Sequence, residues 1–193
     1  EPLLRRDLPT LVRQISSLDL EVALTTNGSF LSREATSLAE AGLDRVTISL
    51  DAIDQELHSM ITDSNVPVSD VLEGISDAVR SGLGPVKVNC VVQRGVNESQ
   101  IPKLVNQFRG TGVVIRFIEF MDVGRTNGWT PGQVVPTSEI IDFLSKEFDL
   151  VPLMRESPSD VASRWAHSDG SGEVGFISSV SQPFCGDCVR ARL

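Results

Sequence analysis

The stretch that decides the fold is residues 20–52, LEVALTTNGSFLSREATSLAEAGLDRVTISLDA. It begins with a short apolar run that ends at the turn-forming pair Asn27-Gly28, which is typical of a strand. A helix is predicted next, opened by Ser32 and stopped at Gly42, because apolar residues recur there at helical spacing: Leu31, Ala35, Leu38 and Ala39. A second apolar run, RVTISLDA, follows. This order predicts two parallel strands joined by a crossover helix.

The same alternation continues on both sides of this stretch. A helix capped by Asp7 is predicted before it. After it come a valine-rich helix, the strand VKVNCVV (86–92), a helix at roughly 99–109, the strand VVIRFIEFM (113–121) and a helix that follows Thr137. Because these strands are apolar on both faces, the pattern favours a parallel sheet in an α/β protein. Periodicity does not distinguish a closed barrel from an open sheet.

The composition changes after about residue 150, where Ser, Gly and Pro become frequent and one strand is suggested at Glu173–Ser179. We therefore predict two parts, an α/β body over residues 1–150 and a C-terminal extension over residues 151–193. In a barrel and in an open sheet alike, function is expected at the carboxyl ends of the strands.

Length and charge limit the possible functions. The chain of 193 residues can bury one sizeable core. Its net charge of −9 argues against a broad nucleic-acid surface, although a local basic pocket for one small anion is compatible with it. No apolar run approaches the roughly 20 residues of a membrane span. Three cysteines do not suggest a secreted disulfide framework, which favours an intracellular, reducing setting.

Polar residues on the predicted strands are the candidate site residues. They are Thr25, Thr26, Asn27, Ser49, Asp51, Lys87, Asn89, Arg116, Glu119 and Met121. Thr, Asn or Asp can simply cap a turn at such places, and a Met can fill a core. Lys87 and Arg116 are harder to explain in that way, because a charge within an apolar strand needs a partner or a counter-ion. Glu119 or Asp122 could be such a partner for Arg116. His58 and His167 are expected to be solvated.

Two cysteines near the end, in Cys185-Gly-Asp-Cys188, allow four interpretations. A thioredoxin-like redox pair is disfavoured, because the motif follows the whole α/β region. Half a zinc site would need two more ligands, and an iron–sulfur site would need further thiolates. Two free thiols would need nothing. The spacing favours metal binding modestly and leaves the kind of metal open.

Seven motifs occur in order along the chain: EPLLR, LTTNG, ISLDA, VKVNCVV, RFIEFM, NGW and FCGDCVRARL. The ordered set resembles the radical S-adenosylmethionine (SAM) enzymes of molybdenum cofactor biosynthesis, the GTP 3′,8-cyclase family. TTNG or SLDA is weak when taken singly, whereas RFIEFM followed by FCxxCxRxR is quite specific. The resemblance extends from one end of the chain to the other.

The resemblance implies an incomplete (β/α) TIM-like barrel of the radical SAM type, with the C-terminal extension covering its open side. It implies SAM and two [4Fe–4S] clusters as cofactors. The first cluster cleaves SAM to a 5′-deoxyadenosyl radical, and the second binds the guanine of GTP. The product would be (8S)-3′,8-cyclo-7,8-dihydroguanosine 5′-triphosphate, in the first step of molybdenum cofactor (molybdopterin) biosynthesis.

The resemblance also implies partners. A homodimer, a cytoplasmic location and transfer of the product to the cyclic pyranopterin monophosphate synthase are expected. Neither a nucleic acid nor a membrane is expected as a partner.

Residue roles follow from the matching motifs. Glu1 would hold the amino group of SAM, and the other SAM contacts would be Asn27, Ser49 and Met121. The GTP contacts would be Thr25, Lys87, Arg116, Arg190, Ala191 and Arg192, of which Arg190 and Arg192 are expected to be catalytic. Cys185 and Cys188 would be two of three ligands of the second cluster, and Cys90 is expected to be a core thiol. Several cations that converge suit a triphosphate.

The chain also departs from the family pattern. It has no C-x3-C-x2-C motif, begins inside the Gly-Gly-Glu-Pro motif and stops before the family's third C-terminal cysteine. We therefore expect it to be a piece of a longer protein and inactive when isolated. Two other functions stay open, a different radical SAM enzyme with an auxiliary cluster and a non-catalytic nucleotide- or zinc-binding module. The Arg-x-Arg after the cysteines disfavours a peptide-modifying radical SAM enzyme.

Overall fold

The computed structural model describes residues 1–124, 128–155 and 160–182. The α-helices are α1 (Leu8–Ser16), α2 (Leu31–Glu40), α3 (Gln55–Thr62), α4 (Val68–Arg80), α5 (Ile101–Phe108) and α6 (Thr137–Leu144). The strands are β1 (Ala23–Thr26), β2 (Arg45–Ser49), β3 (Lys87–Val92), β4 (Val114–Glu119), β5 (Leu150–Pro152), β6 (Ser163–His167) and β7 (Glu173–Ile177). Strands and helices alternate up to β4, which confirms the predicted α/β class. Within the described ranges, no helix has the length and apolar character needed to cross a membrane.

The chain forms two compact units. The N-terminal unit comprises residues 1–89 and 112–114, and the C-terminal unit comprises residues 90–111 and 115–193. The strands β3 and β4 each have residues in both units. These units are defined by how compactly the residues pack. The predicted division into a body over residues 1–150 and an extension over residues 151–193 is a functional one and stays a prediction.

The N-terminal unit contains the strand–helix–strand element predicted from residues 20–52. Strand β1 pairs in parallel with β2, and β2 pairs in parallel with β3. The buried residues of the three strands alternate with accessible ones and include Leu24, Val46, Ile48 and Val88. The opposite face therefore presents the remaining side chains of each strand. We call this the open face of the N-terminal unit; it carries Thr25, Thr47, Ser49, Lys87 and Asn89.

The turn after β1 requires glycine. Gly28 has a φ of 80°, and a Cβ there would lie 3.0 Å from both Ile48 Cγ2 and Val71 Cγ1. Gly74 of α4 is equally restricted, since a Cβ would lie 3.0 Å from Leu31 Cβ and 3.1 Å from the Gly28 carbonyl oxygen. The two glycines thus allow α4 to approach the start of α2 and the turn closely. The Thr26-Asn27-Gly28 segment is held in place by this packing.

The C-terminal unit has a mixed sheet. Strand β4 pairs in parallel with β7, β7 pairs antiparallel with β6, and β6 pairs antiparallel with β5. Phe117 and Phe176 pack with ring centroids 6.2 Å apart, and Trp165 meets Phe176 edge-on at 6.4 Å. Strand β7 confirms the strand suggested at Glu173–Ser179. Strands β5 and β6 were not predicted, because they lie in a Ser-, Gly- and Pro-rich stretch without a clear alternating pattern.

Both histidines are buried, so the prediction that they are solvated was wrong. His58 lies on the inner side of α3, and His167 ends β6 with its ring against Phe148, the ring centroids 5.8 Å apart. Neither Nδ1 atom has a hydrogen-bond partner in the part of the chain that the structure describes. Burial lowers the pKa of each imidazole. Both rings are therefore neutral at pH 7.

Because both imidazoles are buried, we expect the protein to lose stability on mild acidification. Below about pH 6.5 the unfolded chain binds protons at both imidazoles, whereas the folded chain, in which burial lowers their pKa, binds fewer. The free energy of unfolding should therefore fall between pH 7.5 and pH 5.5. His167→Phe, which keeps a ring against Phe148, should remove about half of this slope. Urea denaturation of both proteins at several pH values measures it, and an unchanged slope in the variant would contradict the prediction.

Candidate functional site

Glu1 lies at the carboxyl end of β1, where three protein donors hold its carboxylate. Oε1 accepts hydrogen bonds from Thr26 Oγ1 at 2.6 Å and from the Leu3 amide at 3.1 Å. Oε2 accepts a hydrogen bond from the Asn27 amide at 2.8 Å. Thr26 Oγ1 also accepts from the Gly28 amide at 3.0 Å. The predicted SAM contacts Glu1 and Asn27 are thus brought together, and Thr26 links Glu1 to the Gly28 amide.

The Glu1 carboxylate is chemically suited to an ammonium ligand. A carboxylate offers about four acceptor sites, and these contacts use three. The donors Thr26 and Asn27 fix the orientation of the carboxylate, so a further donor would meet a preset acceptor. The residues therefore fit the amino group of an amino acid such as the methionyl part of SAM.

A second group of predicted residues forms a row across the open face. Thr25 of β1 is aligned with Thr47 of β2, and Thr47 is aligned with Lys87 of β3. Lys87 is the first residue of its strand, whereas Thr25 is the next to last of β1. Because the strands are staggered, Thr25 and Lys87 lie side by side across β2, about 10 Å apart. A phosphate-bearing ligand on this face could therefore contact both side chains.

Ser49 is the exposed last residue of β2, next in line on the same face. It is aligned with Asn89 of β3, whose carbonyl accepts a hydrogen bond from the Leu50 amide at 2.9 Å. The predicted SAM contact Ser49 and the predicted GTP contacts Thr25 and Lys87 therefore share one face.

Arg116 belongs to the C-terminal unit and lies in the middle of β4. Its backbone is aligned with Gly175 of the parallel strand β7. Neighbouring positions Ile115 and Phe117 are buried, while Arg116 is half-buried, so its side chain leaves the opposite side of the strand. The guanidinium is therefore carried on a rigid strand rather than on a loop.

Met121 follows two residues after the end of β4 and is 37% exposed. The backbone just before it is fixed, since the indole Nε1 of Trp129 donates a hydrogen bond to the Phe120 carbonyl at 2.8 Å. Trp129 is the last residue of the NGW motif, for which the sequence offered no role. Its contact assigns it to holding the segment that carries Met121.

Glu119 has a different role from the one suggested by the sequence. It leaves β4 on the face opposite to Arg116 and is fully buried. Oε1 accepts from the Thr137 amide at 2.8 Å and from Ser181 Oγ at 2.6 Å. Oε2 accepts from the amides of Val180 at 2.9 Å and Ser181 at 2.7 Å. The carboxylate thereby joins the end of β4 to the start of α6 and to the segment after β7.

The charge on Glu119 is stabilised by these donors. Burial acts to raise its pKa, but the hydrogen bonds from Ser181, Thr137 and Val180 together outweigh burial, so that the pKa lies below the usual value of a glutamate. Ser179 Oγ adds a hydrogen bond to the Glu119 carbonyl at 2.9 Å. Residues 179–181, which we call the anchored segment, immediately precede the part of the chain that contains the paired cysteines.

Several predicted residues lie outside the described residues: Cys185, Cys188, Arg190, Ala191 and Arg192. Their proposed roles are untested by the structure. Cys90 is fully buried, with Asn97 Nδ2 donating to its Sγ at 3.8 Å, in keeping with the predicted core thiol. In the described part of the chain, no three His, Cys, Asp or Glu side chains are grouped so that they could hold a metal ion.

Two family models and several curated proteins match this chain. Residues 1–108 match the family model of the radical SAM superfamily, and residues 113–193 match the model Molybdenum Cofactor Synthesis C. The GTP 3′,8-cyclase of Xanthomonas axonopodis pv. citri is 50% identical over all of this chain and 58% of its own length. The GTP 3′,8-cyclase of Acidothermus cellulolyticus is 47% identical over all of this chain and 54% of its own length. The chain thus spans a little over half the length of these relatives.

Solved structures share the fold. A domain of the pyruvate-formate lyase-activating enzyme from Bacteroides vulgatus superposes with a TM-score of 0.60 at 16% identity, over 76% of this chain and 86% of that one. A radical SAM methyltransferase from Sphaerobacter thermophilus gives 0.53 at 18% identity, over 66% of this chain and 38% of that one. These similarities confirm the predicted incomplete (β/α) barrel type. With a family model matched over more than half of its residues, the chain belongs to the radical SAM superfamily.

Proposed function

We propose that this chain is the SAM- and GTP-binding part of a GTP 3′,8-cyclase. The complete enzyme converts GTP to (8S)-3′,8-cyclo-7,8-dihydroguanosine 5′-triphosphate in the first step of molybdenum cofactor biosynthesis. The observation that carries the proposal is the N-terminal unit's arrangement of Glu1 at the end of β1 and Lys87 on the open face. It provides an acceptor for an ammonium group and a cation for a phosphate. The similarity to named GTP 3′,8-cyclases over the whole chain supports the same substrate.

The residues of the chain bind and orient, while the cofactors supply the reactive species. When bound, SAM and its iron–sulfur cluster provide the chemistry that removes a hydrogen atom from the ribose of GTP. Glu1, Asn27, Ser49 and Met121 are proposed to hold SAM. GTP is proposed to be bound by Thr25, Lys87, Arg116, Arg190, Ala191 and Arg192, with Arg190 and Arg192 catalytic. Cys185 and Cys188 are proposed ligands of a second cluster.

Finer features of the complete enzyme are part of the same proposal. It holds two [4Fe–4S] clusters, acts as a homodimer in the cytoplasm and passes its product to the cyclic pyranopterin monophosphate synthase. The extension over residues 151–193 covers the open side of the barrel. The 193-residue chain is inactive when isolated.

The proposal is tested with protein of the relatives' full length, reconstituted anaerobically with iron and sulfide. We expect GTP, SAM and a reductant to yield 5′-deoxyadenosine and a product with the mass of GTP, because the one hydrogen that leaves the ribose for 5′-deoxyadenosine is replaced by one electron from the reductant and one proton. Omitting SAM or replacing GTP by ATP should abolish that product. SAM cleavage without turnover of GTP would favour a different radical SAM enzyme. Failure to bind iron or SAM would favour a non-catalytic module.

The role of Lys87 can be tested separately. Lys87→Ala should raise the dissociation constant of GTP about tenfold, which corresponds to the loss of about 1.4 kcal/mol from one charge-assisted contact. Binding of SAM should not change. Lys103→Ala, which removes an exposed lysine of α5, is the matched control. Isothermal titration calorimetry measures each constant, and equal GTP affinities in the two variants would remove Lys87 from the site.

A further inference from the structure

Gly175 lies where a side chain would collide with Arg116. A Cβ on Gly175 would stand 2.8 Å from Arg116 Cγ, 3.4 Å from Cδ and 3.6 Å from Cβ. Contacts below 3.0 Å do not occur between such atoms without displacement. The methylene part of the Arg116 side chain therefore lies across the backbone of β7 at Gly175. Any larger residue at this position would have to push it away.

Backbone conformation does not explain this glycine. The glycine at 172, just before β7, has a φ of 142°, a value that favours glycine. Gly175 has no positive φ, and its neighbours Val174 and Phe176 continue a regular strand. Glycine within a strand weakens it, since there is no side chain to pack and more entropy to lose. Space for Arg116 is the feature that offsets this cost.

We propose that Gly175 is a positioning residue for Arg116. The flat surface that it leaves on β7 supports the arginine stem, which limits the rotamers available to the guanidinium before a ligand arrives. A side chain that is ordered in advance loses less entropy on binding an anion. The role of Arg116 towards GTP rests on the proposed function, whereas its packing on Gly175 does not.

A double-mutant cycle in the full-length, reconstituted enzyme tests this proposal. The variants are Gly175→Ala, Arg116→Ala and the double variant, and the readouts are the thermal midpoint and the dissociation constants of GTP and SAM. Gly175→Ala should lower the midpoint and weaken GTP binding several-fold, with SAM binding unchanged. In the Arg116→Ala background the same change should leave GTP binding as it is. There it should also raise the midpoint slightly, because alanine restricts the unfolded chain more than glycine does.

Gly132→Ala is the matched control, since it lies in the same unit and its added Cβ would meet no atom within 4 Å. It should leave GTP binding unchanged. A midpoint that falls equally in both backgrounds overturns the proposal, because Gly175 would then act independently of Arg116. Unchanged GTP binding in Gly175→Ala, with weakened binding in Arg116→Ala, also overturns it while sparing the proposed function. Unchanged GTP binding in Arg116→Ala overturns both the role of Arg116 in GTP binding and the positioning role of Gly175.

Discussion

Replacing Glu119 with Gln should lower the free energy of unfolding by about 3 kcal/mol or more. The glutamine side chain has the size of the glutamate but no charge. Its NH2 group would face N–H or O–H donors that then have no acceptor. A buried donor without a partner costs roughly 1–3 kcal/mol, and the carboxylate serves Thr137, Val180 and Ser181 at once. Urea denaturation measures the change.

Glu139→Gln provides the control for this prediction. Glu139 is 51% exposed and pairs with Arg94 at 2.7 Å on the surface. Such a pair contributes no more than about 1 kcal/mol, so the control should stay close to the parent protein. Similar losses in the two variants would show that Glu119 stabilises the protein no more than a surface carboxylate does.

The stabilisation by Glu119 should also depend on pH. Its folded pKa is lowered, so its contribution is fully present above the unfolded pKa of about 4.3 and is lost as pH falls through the folded pKa. The difference in stability between the parent and Glu119→Gln should therefore be constant from pH 7 to pH 5 and shrink below pH 4.

Since the anchored segment precedes Cys185, we also expect the Glu119→Gln variant to retain less iron after reconstitution.

Glu1→Gln should raise the dissociation constant of SAM about 30- to 100-fold, or about 2–3 kcal/mol, with little change in thermal stability. The glutamine side chain is uncharged, so it cannot supply the negative charge that an ammonium group prefers. Its NH2 group would also face the backbone N–H of Asn27, which donates to Glu1 Oε2 in the parent protein. Equilibrium dialysis with SAM measures the effect in the full-length protein. GTP affinity should stay the same.

Thr26 gives the matching comparison. Thr26→Val removes the hydroxyl that donates to Glu1 at 2.6 Å and leaves the charge in place. Its effect on SAM binding should be a few-fold, and Thr26→Ser should restore the parent value. An effect of Thr26→Val as large as that of Glu1→Gln would mean that the turn, rather than the carboxylate charge, determines SAM binding.

The parts of the fold that the sequence predicted are those with strong local periodicity. The stripe of α2 and the apolar runs of β1 to β4 each contain enough residues to show their period. Strands β5 and β6 are short, antiparallel and half-exposed, so their sequences resemble loops. Burial of His58 and His167 was missed for a related reason, since it depends on partners such as Phe148 that are distant in sequence.

The roles of the candidate site residues stay predictions, and only their placement can be compared with the sequence. Glu1, Thr25 and Lys87 were selected through motifs. The structure adds the hydrogen bonds that hold Glu1 and the alignment of Thr25 with Lys87 across β2. The donors to Glu119 are mostly backbone amides, which any residue could supply, so nothing in the sequence marks Val180 or Ser181. Gly175 had no signal either, because its importance follows from the register between β4 and β7.

The link from Glu119 to Ser181 also bears on the order in which parts of the protein can fold during synthesis. The carboxylate and the amide that it accepts from are 62 residues apart. At 5–20 residues per second, a ribosome needs about 3–12 s to synthesise that interval. During this time β4 lacks its partner strand β7, and the Glu119 carboxylate has Thr137 available as a donor but not yet the amides of Val180 and Ser181. The C-terminal unit therefore completes its folding only after Ser181 has been synthesised, whereas the parallel strands β1, β2 and β3 can pair before that point.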